Sequence, residues 1–176
     1  MEPVMVGTNP VAAARDLRDF TALVQEHRAM VFSLAYHFLR ERAAAEELAQ
    51  DVFLQLHRCL HRMESSEHVV FWLRRVTAHR CIDAARRRGR RPEVSLEDVP
   101  EASEPAQPGD PLLREQLRKL VGSLPEKARM IVLLRFQEDL EPAEIAELLK
   151  LRVNTVKSQL QRALAMLRKK AGRLEW

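Results

Sequence analysis

The chain has little of what an active site is usually built on. Its 176 residues hold five glycines, two cysteines and one tyrosine, and aromatic residues make up only 5%. The glycines are scattered singly, so no glycine-rich phosphate loop is present. No strand pattern of useful length exists to present a nucleophile, and there is no internal repeat. Two cysteines, Cys59 and Cys81, do not make a disulfide framework. No positively charged leader precedes an apolar stretch, and no apolar run approaches membrane-spanning length. These absences predict a cytoplasmic protein with reduced thiols, no membrane insertion and no cofactor. Six histidines stand at 27, 37, 57, 61, 68 and 79. His57/Cys59 and His79/Cys81 are the candidate metal pairs. Residues two apart on a helix point to nearly opposite sides, so neither pair can share an ion. No metal site and no enzyme are expected.

What the chain does have is segregated charge. The net charge of +4 and a pI near 9.4 are averages over stretches of opposite sign. Five arginines crowd into the six residues from Arg86 to Arg91, and basic residues recur from Lys157 to Arg173. Such asymmetry favours a polyanionic partner. Between the basic stretches, residues 92–111 carry five of the nine prolines, six acidic residues and no Lys or Arg. That composition has too few large apolar residues to make a core and predicts a flexible acidic linker.

The linker divides the chain into two small all-α domains. Residues 1–14 lack periodicity and are expected to form a flexible tail. In residues 15–91, apolar residues recur at spacings of three and four, predicting helices over about 15–39, 44–61 and 69–88. Leu48, Val52, Leu56 and Leu60 are the inward stripe of the second helix; Trp72, Leu73, Val76 and Ile82 are that of the third. In residues 112–176 a helix capped by Asp110-Pro111 runs to about 121, and another opens at Leu124-Pro125 with Ile131 and Leu134 inward.

The last part of the chain, residues 140–168, reads as a short helix opening at Pro142, a tight turn around 150–152 and a second helix. The first buries Ile145, Leu148 and Leu149. The second places Val156, Leu160, Ala163 and Leu167 on one side. Its other side carries Lys157, Ser158, Gln161 and Arg162, all able to bond bases or phosphates. This is the plan of a DNA-reading helix-turn-helix; a plain helical hairpin with a solvated basic face is the alternative.

Two further faces bear on partners. Arg74, Arg75, Arg80 and Arg86–Arg88 lie on or near a helix that also carries Phe71 and Trp72. Arginines neutralise phosphates, and like charges so close call for a neutralising partner; Trp72 itself is expected in the core. On the second helix Glu46, Glu47, Gln50 and Asp51 line up beside the apolar stripe. They would repel DNA, so they form either a solvated face or a protein-binding one.

Taken together these stretches resemble an extracytoplasmic-function (ECF) sigma factor of the sigma-70 family of bacterial RNA polymerase. The segment from Ala45 to Phe53 looks like region 2.2, which docks on the clamp helices of the polymerase. Phe71-Trp72-Leu73-Arg74-Arg75-Val76, with Asp83 and Arg86-Arg87, looks like regions 2.3 and 2.4, which open and read the minus-ten element. Leu124-Pro125-Glu126-Lys127-Ala128-Arg129 and the helix-turn-helix look like region 4, which reads the minus-thirty-five element; Thr155-Val156-Lys157-Ser158 and Arg162-Ala163 are similar to its recognition helix. There are departures. His79 stands where many members have Asn, Met63 where an aromatic is frequent, Lys150 for the usual glycine of the turn, and Gln159 for an arginine. Lys150 leads one to expect a looser turn.

The resemblance implies three residue sets. Glu47, Gln50 and Asp51 would hold the polymerase core. Met63, Trp72, Arg75, His79, Arg80, Arg86 and Arg87 would engage minus-ten DNA, with the 63–68 region and His79 capturing an unstacked base. Thr155, Lys157, Ser158, Gln161 and Arg162 would read the upstream element in the major groove. Implied partners are core polymerase, promoter DNA and an anti-sigma factor. The rivals are a polymerase-independent helix-turn-helix regulator, which does not require the acidic face, and a protein-binding adaptor, which does not require the arginines. With a flexible linker, the two halves are expected to be loosely placed unless a partner clamps them.

Overall fold

A computed structural model describes residues 20–89 and 111–172. Within them the fold is all helical: α1 (Phe20–Leu39), α2 (Arg42–Cys59) with a 3-10 turn at Leu60–Arg62, α3 (Ser66–Gly89), α4 (Pro111–Gly122), α5 (Glu126–Phe136), α6 (Pro142–Leu149) and α7 (Val153–Ala171). The expected tail, most of the acidic linker, and Arg90 and Arg91 lie outside the described residues.

The first half is a three-helix bundle. α1 buries Leu23, His27, Val31, Leu34 and Phe38, a stripe of helical period. It stops at Arg40, whose backbone is left-handed (φ 61°) and whose N–H bonds the Tyr36 carbonyl at 2.8 Å. α2 starts two residues earlier than the periodicity predicts, at Arg42, and buries Ala45, Leu48, Val52 and Leu56. α3 begins at Ser66, three residues earlier than expected, because Ser65 Oγ accepts the His68 N–H at 3.1 Å and satisfies an otherwise free first-turn donor.

In the second half, α5 occupies the centre. Ala128 and Met130–Leu134 are all buried and fall on every side of the middle of the helix, so its centre is covered all round while Lys127 and Phe136 at its ends are exposed. One side meets α7 through Leu124, Ala128, Val132 and Ala163. The other side joins Met130, Ile131 and Leu134 to a core that also contains Leu34 and Phe38 of α1 and Leu73, Ala78 and Cys81 of α3. The two halves therefore share one hydrophobic core. This overturns the expectation of loosely placed domains: a polar linker leaves its neighbours free only if neither has an apolar face to offer the other, and α5 has one. Cys81, inside this core, has its thiol pushed up to about 12 by burial, which keeps it unreactive.

The helix-turn-helix is built locally. Pro142 opens α6, and Glu141 and Glu144 form a reciprocal capping box, the Glu144 carboxylate accepting the Glu141 N–H at 2.7 Å. α6 ends at Lys150, which is left-handed (φ 55°, ψ 46°) with its N–H on the carbonyls of Ala146 and Glu147. The turn has thus kept the geometry a glycine would adopt, and the looser turn expected from Lys150 does not occur. Leu151, whose N–H bonds Ala146 O at 2.8 Å, is packed on the core, and that anchors the turn whatever residue stands at 150.

A β-carbon in the left-handed region costs roughly 1–2 kcal/mol, and glycine returns part of that gain as unfolded-chain entropy. Lys150→Gly should therefore raise stability by about 0.5–1 kcal/mol. Urea unfolding of the full chain checks this; a variant less stable than wild type would show that the Lys150 backbone is not strained.

Candidate nucleic-acid interface

α7 presents its polar side to solvent. Val156 and Ala163 are buried, and Leu160 and Leu167 are partly so. Thr155, Lys157, Gln161 and Arg162 are exposed and Ser158 is half-buried, so all five upstream-element candidates are brought to one accessible surface. The Ser158 hydroxyl donates its proton to the Thr155 carbonyl at 3.0 Å, which leaves it only acceptor capacity towards a ligand. At its far end α7 is tied down by Lys170, whose Nζ donates to Ser123 Oγ at 2.7 Å.

The seven minus-ten candidates are not brought together. Trp72, Arg75, His79 and Arg86 recur along α3 at spacings of three, four and seven and share one side. Arg80 and Arg87 fall on another, in a groove against α2 lined also by Glu47, Leu48 and Asp51. Met63 lies in the loop before α3, where its N–H bonds Leu60 O at 3.0 Å and its side chain packs on the core. His79 is thirteen residues into α3 from Ser66, roughly 20 Å along the axis at 1.5 Å per residue. The 63–68 region and His79 therefore do not line one base pocket in this structure. Trp72 is partly buried against the core, as expected.

The arginine run finds partners inside the chain. Arg80 Nη1 pairs with Asp51 at 3.0 Å and its Nη2 donates to Gln55 Oε1 at 3.0 Å. Arg88 pairs with Glu41 at 2.6 Å. Arg86 lies 3.8 Å from Glu126 and 3.9 Å from Asp83. The neutralising partner inferred from sequence is thus supplied in part by the chain's own carboxylates; Asp83 stands one turn before Arg86 on α3 itself, but no spacing within α3 reveals Asp51, Glu41 or Glu126. The pair Arg80–Asp51 also joins a residue assigned to DNA with one assigned to polymerase. Glu47 and Gln50 beside it are exposed.

The second half covers part of α3. His79 Nε2 donates to the Leu148 carbonyl at 3.2 Å. Arg74 Nε meets Glu138 at 3.0 Å, with the carboxylate only 6% exposed. His37 Nδ1 donates to Gln137 Oε1 at 2.7 Å, and Gln137 Nε2 donates to Ser33 Oγ at 3.2 Å. Arg129, not a site candidate from sequence, donates to Phe38 O at 3.0 Å and Leu124 O at 3.2 Å and lies over the Phe38 ring. Burial and the neighbouring Arg40 cation lower its pKa, which leaves a guanidinium still charged at neutral pH. Among the described residues no group of three metal-ligating side chains is assembled, and no helix is long and apolar enough to cross a membrane.

Residues 23–91 match the family Sigma-70 region 2, and residues 114–167 match Sigma-70, region 4. The chain is similar to the ECF RNA polymerase sigma factor SigE of Mycolicibacterium smegmatis, at 31% identity over 83% of this chain and 59% of that protein. It is also similar to the ECF RNA polymerase sigma-E factor of Escherichia coli, at 29% identity over 84% of each. In fold it resembles the sigma factor RpoE of Bartonella quintana, solved in complex with the anti-sigma factor NepR. That likeness has a TM-score of 0.73 at 22% identity, over 90% of this chain and 99% of that one.

The Arg74–Glu138 pair gives this packing a specific test. Removing one member of a largely buried pair strands the other, and Arg74→Met should cost roughly 2–4 kcal/mol, discounted for its partly exposed guanidinium. Arg74→Met with Glu138→Leu should recover most of the loss. Chemical denaturation of both variants measures it; equal destabilisation by the single and double changes would show that the pair does not join the halves.

Proposed function

The chain belongs to the ECF type of the sigma-70 family, and we propose from its geometry how the work of an RNA polymerase sigma factor is divided among its faces. The observation that carries the function is the presence of both sigma-70 regions in one chain, in order, over residues 23–91 and 114–167. A polymerase-independent regulator has no need of the first region. Sigma factors are in general non-catalytic initiation factors, so the chemistry here is recognition and melting of promoter DNA in the cytoplasm, without covalent steps or a cofactor.

In this reading the tail spans residues 1–14, region 2 spans 15–91, the acidic linker 92–111 and region 4 spans 112–176. Glu47, Gln50 and Asp51 hold the polymerase core. Trp72, Arg75, His79 and Arg86 face the minus-ten DNA, with Arg80 and Arg87 on the DNA backbone and Met63 in the loop that precedes the same helix. Thr155, Lys157, Ser158, Gln161 and Arg162 read the minus-thirty-five element. Lys and Arg suit guanine edges and Gln suits adenine. His79 is engaged by the Leu148 carbonyl, so α6 must leave α3 before that side chain meets DNA, whereas Arg86 is half exposed and can exchange Glu126 for a phosphate where it stands. An anti-sigma factor, as solved with the RpoE relative, is the proposed antagonist.

Docking is tested at Glu47. Asp51→Arg would set a second cation beside Arg80, so Glu47→Arg is the cleaner reversal. It should weaken binding to core polymerase at least about tenfold, as expected for a charge placed against its complement. Core affinity equal to wild type would remove α2 from the interface.

Upstream reading is tested with core polymerase and a systematic promoter library. Arg162→Ala should cost about 1–3 kcal/mol and relax preference at one position. Arg168→Ala, a phosphate contact, should lower all sequences alike and flatten the salt slope by about one unit. A uniform fall with Arg162→Ala would make that residue a phosphate clamp.

A further inference from the structure

We infer that Asn154 is a specificity-determining residue of α7, reading an adenine edge in the upstream element. The inference rests on the reading of α7 as a recognition helix and adds a residue to it. Val156 and Ala163, buried at 0% and 1%, fix the inward direction of α7. With about 3.6 residues per turn, the direction opposite to them passes through Asn154, Ser158, Gln161 and Ala165, at spacings of four, three and four. Lys157 and Arg162 fall on the two flanks of that line. Asn154 thus stands at the centre of the outward side, one turn nearer the helix start than any candidate drawn from Lys157 onward. A recognition helix meets base edges mainly through its N-terminal residues.

The surroundings of Asn154 are open. It is exposed and forms the wall of a notch of about 470 Å³ with Arg152, Val153, Thr155 and Ser158. Among the described residues its amide has no hydrogen-bond partner. It is not the cap of the helix either: the cap position is Arg152, which makes no side-chain cap bond. An uncapping asparagine within a helix is less favourable than alanine, so the fold does not account for it. Ser158, one turn on, has committed its proton to Thr155 and can only accept. Asn154 carries both a donor and an acceptor on a short side chain. That pair matches N6 and N7 of adenine in the major groove. The positive end of the helix attracts phosphates of any sequence; the amide can tell one base pair from another.

The test uses the full chain with core polymerase and duplex promoters in which each upstream base pair is varied. Asn154→Ala should reduce discrimination at one A·T pair by roughly 5- to 100-fold while leaving preferences elsewhere in place. At that pair, 7-deazaadenine, which lacks the N7 acceptor, should weaken wild type and have no further effect on Asn154→Ala. Thermal melting should show the variant at least as stable as wild type, since the site is exposed and alanine favours the helix. A uniform loss over all sequences, or no change at any pair, overturns the proposal. Gln161→Ala and Arg162→Ala in the same library separate the two levels. If they alter upstream preference and Asn154→Ala does not, only the role of Asn154 falls. If none of the three alters it, the reading of α7 falls with it.

Discussion

The structure depends on the burial of α5. Its eleven residues include six that are buried, on all sides of the helix. No single neighbour can cover such a helix. α7 covers one side, and α1 and α3 cover another, so hydrophobic burial alone ties the recognition helix to the first half of the chain. Polar contacts then fix the register. Arg129 gathers the carbonyls of Phe38 at the end of α1, Gly122 at the end of α4 and Leu124 just after it, and Gln137 bridges Ser33 and His37. Such groups are costly to leave unpaired once buried, so they select one packing among many.

That packing treats the three proposed surfaces differently. The outward side of α7 stays in solvent, because only its Val156–Ala163 side is needed against α5. The acidic side of α2 stays in solvent because the bundle uses Leu48, Val52 and Leu56. The side of α3 that carries His79 and Arg86 is partly taken by α5 and α6. A helix flanked by two layers has fewer free directions than one flanked by a single layer, and α3 is the helix so placed.

Electrostatics follow the same layout. Arg80, Arg86 and Arg88 each sit within reach of a carboxylate from another part of the chain. These pairs are half exposed and individually weak, on the order of 0–1 kcal/mol. A polyanion with many phosphates can therefore replace them at little cost. Arg74–Glu138 differs because its carboxylate is almost fully buried; it belongs to the architecture and not to the exchangeable surface.

The helices, the turn and the polar face of α7 are legible in the sequence. Each depends on contacts within a few residues: a period of 3.6, a proline at a first turn, a break at 150–152. The sequence also carries the order of region 2 and region 4 motifs. α2 and α3 start at Arg42 and Ser66, two and three residues before the apolar period begins, because first-turn residues need not be apolar; at α3 the Ser65 hydroxyl supports the start. Asn154 is not legible in the pattern because it stands before the first clearly inward residue, Val156, and only the buried side of α7 locates the outward one. Tertiary structure alone decided where the halves sit, which arginines are already paired, and that Lys150 takes a glycine's backbone. The reason is physical: pairs such as Arg74–Glu138 and His79–Leu148 join residues 64 and 69 positions apart. Their energies depend on how two apolar faces meet, which no local pattern encodes.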